Sequence, residues 1–143
     1  RFRSPLMDPL HGAFVKAEMA RAWHESKPDD PINRHEEGGY VVLNADRSFA
    51  VERWPRGTLS RIVPPSLDRN NCYNGKVAAA AFQTHPNPEI DELGRVWEQA
   101  PGASDIRWHR RHKLRGFVIS RMLVYEIDVN AGIFVVGKRD EVL

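Results

Sequence analysis

Apolar positions along this chain follow first a helical rhythm and then an alternating one. Across residues 10–26, Ala13, Phe14, Ala17, Ala20 and Trp23 recur three and four apart, the spacing of one helix face. Lys16, Glu18, Arg21 and Glu25 fall between them and are expected to face water, and Pro28, Asp29, Asp30 and Pro31 stop the helix. Tyr40, Val41, Val42 and Leu43 then predict a strand. Residues 44–47 predict a hairpin turn, and residues 48–54 its partner strand. Residues 58–75 predict irregular chain, with one short extended piece at 60–63. Ile90, Leu93, Val96 and Trp97 predict a helix over 89–99, closed by Pro101-Gly102. Ser104 is placed to cap a further helix running to about Leu114, with Gly116 as its C′ residue. Three strands follow, at 117–120, 122–128 and 133–138.

Between these elements lies Val77-Ala78-Ala79-Ala80-Ala81-Phe82-Gln83-Thr84-His85-Pro86. Four consecutive alanines also suit a helix. Gly75 before them and Pro86 after them leave only a short span, which favours a buried strand. Side chains alternate along a strand, so Gln83 and His85 share a face at its mouth. The whole order predicts an α+β domain, a mixed sheet flanked by helices, in a single unit covering 1–143 with an extended lead-in at 1–9. The Phe14/Trp23 and Leu93/Val96/Trp97 stripes are expected in its core.

Composition narrows the class. The 143 residues are 41% hydrophobic and 28% charged, as in a globular domain able to bury a core. No apolar run reaches the ~20 residues of a membrane span. The opening residues form no signal-peptide core, and their lack of an initiator Met suggests a fragment of a longer protein. A net charge of +2 argues against nucleic acid as the main partner. The one cysteine, Cys72, excludes an intrachain disulfide and a multi-Cys zinc site, and reads as a passive thiol in an Asn-rich loop.

Candidate chemistry sits at element ends: Glu36 or Glu37 beside Gly38-Gly39, Gln83 and His85 at a strand end, and Ser104-Asp105 at a helix start. A hydrolytic zinc site needs imidazole or carboxylate ligands and a nearby base, and these residue types supply both. By themselves, scattered acids and histidines are also ordinary loop and cap residues, and Asp105 suits the first turn of any helix.

In order, Glu36-Glu37-Gly38-Gly39, Phe82-Gln83-Thr84-His85-Pro86 and Ser104-Asp105 resemble the motif series of the JAB/MPN (JAMM) metallopeptidases, across residues 33–125. That series runs Glu-x-x-Gly, His-x-His-Pro, Ser-x-x-Asp. The resemblance implies a JAB/MPN-like, cytidine-deaminase-like sandwich. It implies Glu36 as general base, with Glu37 the alternate, His85 and Asp105 as zinc ligands, Gln83 at the remaining ligand position, and Ser104 stabilising the intermediate. The flanking helix and residues 116–125 are similar to a bacterial branch found as C-terminal toxin domains of Rhs- or PAAR-type secreted effectors. That branch implies a protein or peptide substrate, action in a target cell's cytoplasm, and a cognate immunity protein. Two positions depart from the series. Gln83 replaces the first histidine, and the residue three before Asp105 is Gly102. A carboxamide is a poor zinc ligand beside imidazole. The resemblance therefore leaves open a hydrolase disabled at Gln83 and a non-catalytic binding module of the same fold.

His109 and His112 stand one helical turn apart among Arg107, Arg110, Arg111, Lys113 and Arg115. This reads as a solvated basic face more readily than as a metal pair. With Trp108 it could bind phosphate, an acidic protein or, as a third reading, nucleic acid for a nuclease-type toxin using residues 104–115.

Overall fold

The computed structural model describes residues 12–130 and 132–143, so the predicted lead-in at 1–9 and the start of the first helix lie outside the described residues. The described residues form an α+β fold with a mixed, open sheet of seven strands and three helices. In chain order these are α1 (Ala13–Glu25), β1 (Gly38–Leu43), β2 (Phe49–Arg53), β3 (Cys72–Tyr73), β4 (Lys76–His85), α2 (Ala103–His112), β5 (Arg115–Ser120), β6 (Leu123–Asp128), β7 (Gly132–Lys138) and α3 (Arg139–Val142). The sheet runs β2-β1-β4-β5-β6-β7, with β3 also paired to β4. Among the described strands only β4 and β5 pair in parallel, and the chain crosses between them through α2.

The alanine strand is β4, at the centre of the sheet. Its small side chains leave room on both faces for larger neighbours. Val41 pairs with Ala80 and Val42 with Ala78, so Ala79 is an extra residue, a bulge that switches which β4 side chains face which side. On one face Ala80 and Phe82 join Val41, Phe117 and Ile119 beneath Val15, Met19, Ala22 and Trp23 of α1. On the other face Ala78 and Ala81 join Tyr40, Val42, Trp54, Ile62 and Leu114, with Trp108 of α2 against them. Burying a residue such as Phe82 or Ile119 contributes roughly 1.5–3 kcal/mol.

The predicted helices hold at α1 and α2 and fail between them. In α1 the buried face is Val15, Met19, Ala22 and Trp23, while Phe14 of the expected stripe is 57% exposed. The alanine-rich row presents too little apolar area to outcompete Met19 and Val15, so the helix turns the other face inward. Residues 89–99 form no helix. They make a tight loop closed by a bridge between Ile90 and Val96, with Gly94 at φ +76°. The buried Asp91 carboxylate organises it, accepting from the backbone of Leu93 and Arg95, from Arg95 Nε at 2.6 Å and from Trp97 Nε1 at 2.8 Å. Against the upward push of burial, these bonds hold its carboxyl well below the usual range. Ile90, Leu93 and Val96 therefore project into solvent rather than into a core. The extended piece expected at 60–63 is not a strand, although Ile62 is buried.

The N-cap of α2 is Gly102, not Ser104, which sits inside the first turn. The helix ends at Lys113 in the left-handed region, φ 50°. Gly116 is not its C′ residue but part of β5, and it serves a close approach: a Cβ there would stand 2.2 Å from the His109 ring. That ring is buried and bonded through Nδ1 to the Leu114 carbonyl at 2.8 Å, so His109 leaves the basic face assigned to it. Among the described residues no helix is long and apolar enough to cross a membrane.

Gly116→Ala is expected to force this helix off the sheet. A loss of roughly 1–3 kcal/mol in chemical unfolding should follow.

Candidate functional site

The pocket forms where β1 begins, β4 ends and α2 begins. The β1–β4 pairing is antiparallel, with Gly38 opposite Gln83. The pairing continues past the strand end: Thr84 N donates to the Glu37 carbonyl, and Glu37 N to Thr84 Oγ1. Continuing the register sets Glu36 beside His85. Facing residues in such a pair project to one side of the sheet. Glu36, Gln83 and His85 thus share the α2 side, and Glu37 shares the α1 side with Thr84.

That alternation separates the two glutamates. Glu37 is tied to His35 Nε2 at 2.5 Å and to Arg53 Nη2 at 2.6 Å, away from the pocket. Glu36 lines the pocket, is 7% exposed, and its carboxyl has no hydrogen-bond partner among the described residues. Burial first, then the charge of Asp105, pushes its pKa up to about 8. At neutral pH this carboxyl is protonated and can donate a hydrogen bond.

Gly38 allows the strand to enter so closely, since a Cβ there would lie 2.5 Å from the Trp54 ring and 2.7 Å from the Phe82 carbonyl. His85 is anchored by Nδ1, 3.2 Å from the Gln99 carbonyl. A carbonyl only accepts, so Nδ1 carries the proton and Nε2 presents a lone pair. Burial lowers the His85 pKa against the opposing pull of Asp105, and the ring is neutral. Its Nε2 faces the Gln83 amide nitrogen at 3.2 Å and Asp105 Oδ2 at 3.8 Å. Asp105 Oδ2 also accepts from Gly102 N at 2.9 Å, so one carboxylate both closes the start of α2 and fronts the pocket.

Glu36, Gln83, His85, Ser104 and Asp105, drawn from three separate stretches, therefore line one cavity of about 620 Å³. The pocket's other lining residues, Trp54 and Trp108 in its walls and Glu98 and Arg61 beside them, carry no local sequence signal of that role. Nor does Gln99, the residue that orients His85. Gln99 and Glu98 lie in the stretch whose apolar spacing imitated a helix, and no local signal marks them.

Zinc is not well matched by this donor set. His85 Nε2 and Asp105 are suitable ligands, but the third position holds an amide whose N–H points at the very lone pair a metal would take. Among the described residues no three His, Cys, Asp or Glu side chains converge as a metal-holding group.

No family model, curated protein or solved structure matches the chain.

Glu36 gives a pH signature. An acid whose folded pKa lies above its unfolded value favours folding while protonated, so its stabilisation is complete below the ordinary glutamate value of 4.5 and is lost as pH rises toward about 8. Stability should fall over that window in thermal melts, and Glu36→Gln should flatten the fall.

Proposed function

We propose that this chain is a JAB/MPN-type domain, the toxin module of a secreted effector. Its pocket takes a peptide or isopeptide segment, and its hydrolytic metal centre stands one donor short at Gln83. The observation that carries this reading is the gathering of Glu36, His85 and Asp105 in one cavity, in the chain order of the family's motif. A peptide amide offers one acceptor and one donor. The protonated Glu36 carboxyl complements its carbonyl, and the Asp105 carboxylate complements its N–H. Trp54 and Trp108 supply apolar walls for neighbouring side chains. Its substrate or ligand is accordingly a protein segment, and its natural antagonist a cognate immunity protein.

The contact between Gln83 and His85 favours a second form of the same reading. With the amide on the imidazole lone pair, the chain as it stands binds a peptide without cutting it.

Gln83→His separates the two forms. Elemental analysis is expected to find substoichiometric zinc on the parent chain and about one zinc per chain on the variant, with peptide cleavage appearing only in the variant. A cation held there would favour the ionised form of Glu36 and so free it to act as base, and adding Glu36→Gln should lower cleavage by about 10²–10⁴. A folded Gln83→His protein that takes up no zinc at neutral pH would overturn the metallopeptidase form.

A further inference from the structure

Cations on this molecule are sorted. Arg34, Arg53, Arg95 and Arg115 each meet a carboxylate within 3.0 Å. Arg107, Arg110 and Arg111 on α2, with Lys113 at its end and Arg69 on the facing loop, are all exposed. None has an ion-pair partner among the described residues. Positions 107, 110 and 111 share one side of a helix, and here that side points away from the sheet, since His109 is buried and Trp108 packs inward.

This face is built, not loose. Asn71 Nδ2 donates to the His112 carbonyl at 2.7 Å and binds the loop to the end of α2. Together they border an open groove of about 540 Å³ lined by Arg69, Arg111, His112 and Lys113. Asp68 also borders it, but its carboxylate accepts from Asn70 N at 2.8 Å and Cys72 N at 2.9 Å and is engaged in shaping the loop. A groove edged by unpaired guanidinium groups suits carboxylates, which accept two parallel N–H bonds from each.

We propose that the outer face of α2 and this groove dock an acidic polypeptide segment of a partner protein. The inference goes beyond the pocket's proposed chemistry and does not depend on it. Charge complementarity selects the partner's sign, and the surroundings select its class. Trp108 is packed among Tyr40, His109 and His112, so the indole nearest the arginines is engaged within the protein rather than held out for a nucleobase. Glu98 and Asp105 line the neighbouring pocket and would repel a phosphate backbone that continued past the helix. The face is one short helix long, about 15 Å, which fits a short run of acidic side chains. A single exposed ion pair contributes little, so binding depends on several together and weakens with salt.

The test is fluorescence anisotropy of a labelled oligoglutamate peptide titrated with the whole chain at low and high salt. Oligoglutamine and a single-stranded oligonucleotide of equal charge serve as comparators. Oligoglutamate is expected to bind saturably, more tightly than either comparator, and less well as salt rises. R107E/R110E/R111E should weaken it by about tenfold or more. Reversing Lys27, Arg47 and Lys138, exposed elsewhere on the molecule, should change it little. If the triple reversal unfolds the helix in circular dichroism, R107Q/R110Q/R111Q carries the same test and should weaken binding severalfold. Absence of saturable binding, equal binding by a folded triple variant, or tighter binding of the oligonucleotide would each overturn the proposal.

Discussion

The placement of β1 against β4 governs the pocket. An antiparallel pair fixes which residues face each other, and a shift of one residue would send every side chain to the opposite side. With Gly38 opposite Gln83, Glu36 comes to lie beside His85. The pairing is pinned at that end by more than ladder bonds. Thr84 exchanges hydrogen bonds with Glu37 and meets Ser26 at the end of α1, while Gly38 admits Trp54 and the Phe82 carbonyl at distances no Cβ would tolerate. The paired strands, α1 and the aromatic wall thus agree on one register.

Around that register the site is completed by loops that polar groups hold in shape. The buried Asp91 carboxylate gathers four donors and turns residues 91–97 into a compact loop, from which Gln99 reaches the His85 ring. Asp105 closes the start of α2 and sets a negative charge near both His85 and Glu36. The result is a buried acid held protonated, a neutral imidazole of defined tautomer and the Asp105 carboxylate, all within one cavity. Such an arrangement suits amide recognition. The amide of Gln83 occupies the imidazole lone pair and stands between this arrangement and a metal centre.

Charge on α2 is divided by the same burial that builds the pocket. Its inner side carries Asp105, Trp108 and His109 toward the sheet, and its outer side keeps three arginines in water. His109 shows how far neighbours decide such a division. Among so many cations it reads as another solvated base, yet Gly116 opposite it leaves a gap of its own size, and the Leu114 carbonyl satisfies its Nδ1.

Local pattern by itself determined much of the architecture: the helices near 13–25 and 103–112, the β1–β2 hairpin, the alanine strand and the three closing strands. Strand alternation also determined that Gln83 and His85 share a side, because period and neighbour spacing are properties of the backbone. Tertiary structure decided the rest. Residues 89–99 carry a helical spacing of Ile90, Leu93 and Val96, but a pattern cannot tell whether a surface exists to cover it, and here a buried carboxylate bound the chain more strongly as a loop. The same limit turned α1 to a face with Val15 and Met19 inward, since only the sheet beneath measures which face fills the space. Glu36 and Glu37 are adjacent in the chain and chemically identical. Only the register with β4 sends one into the pocket, unpartnered and protonated, and the other to a pairing with His35 and Arg53.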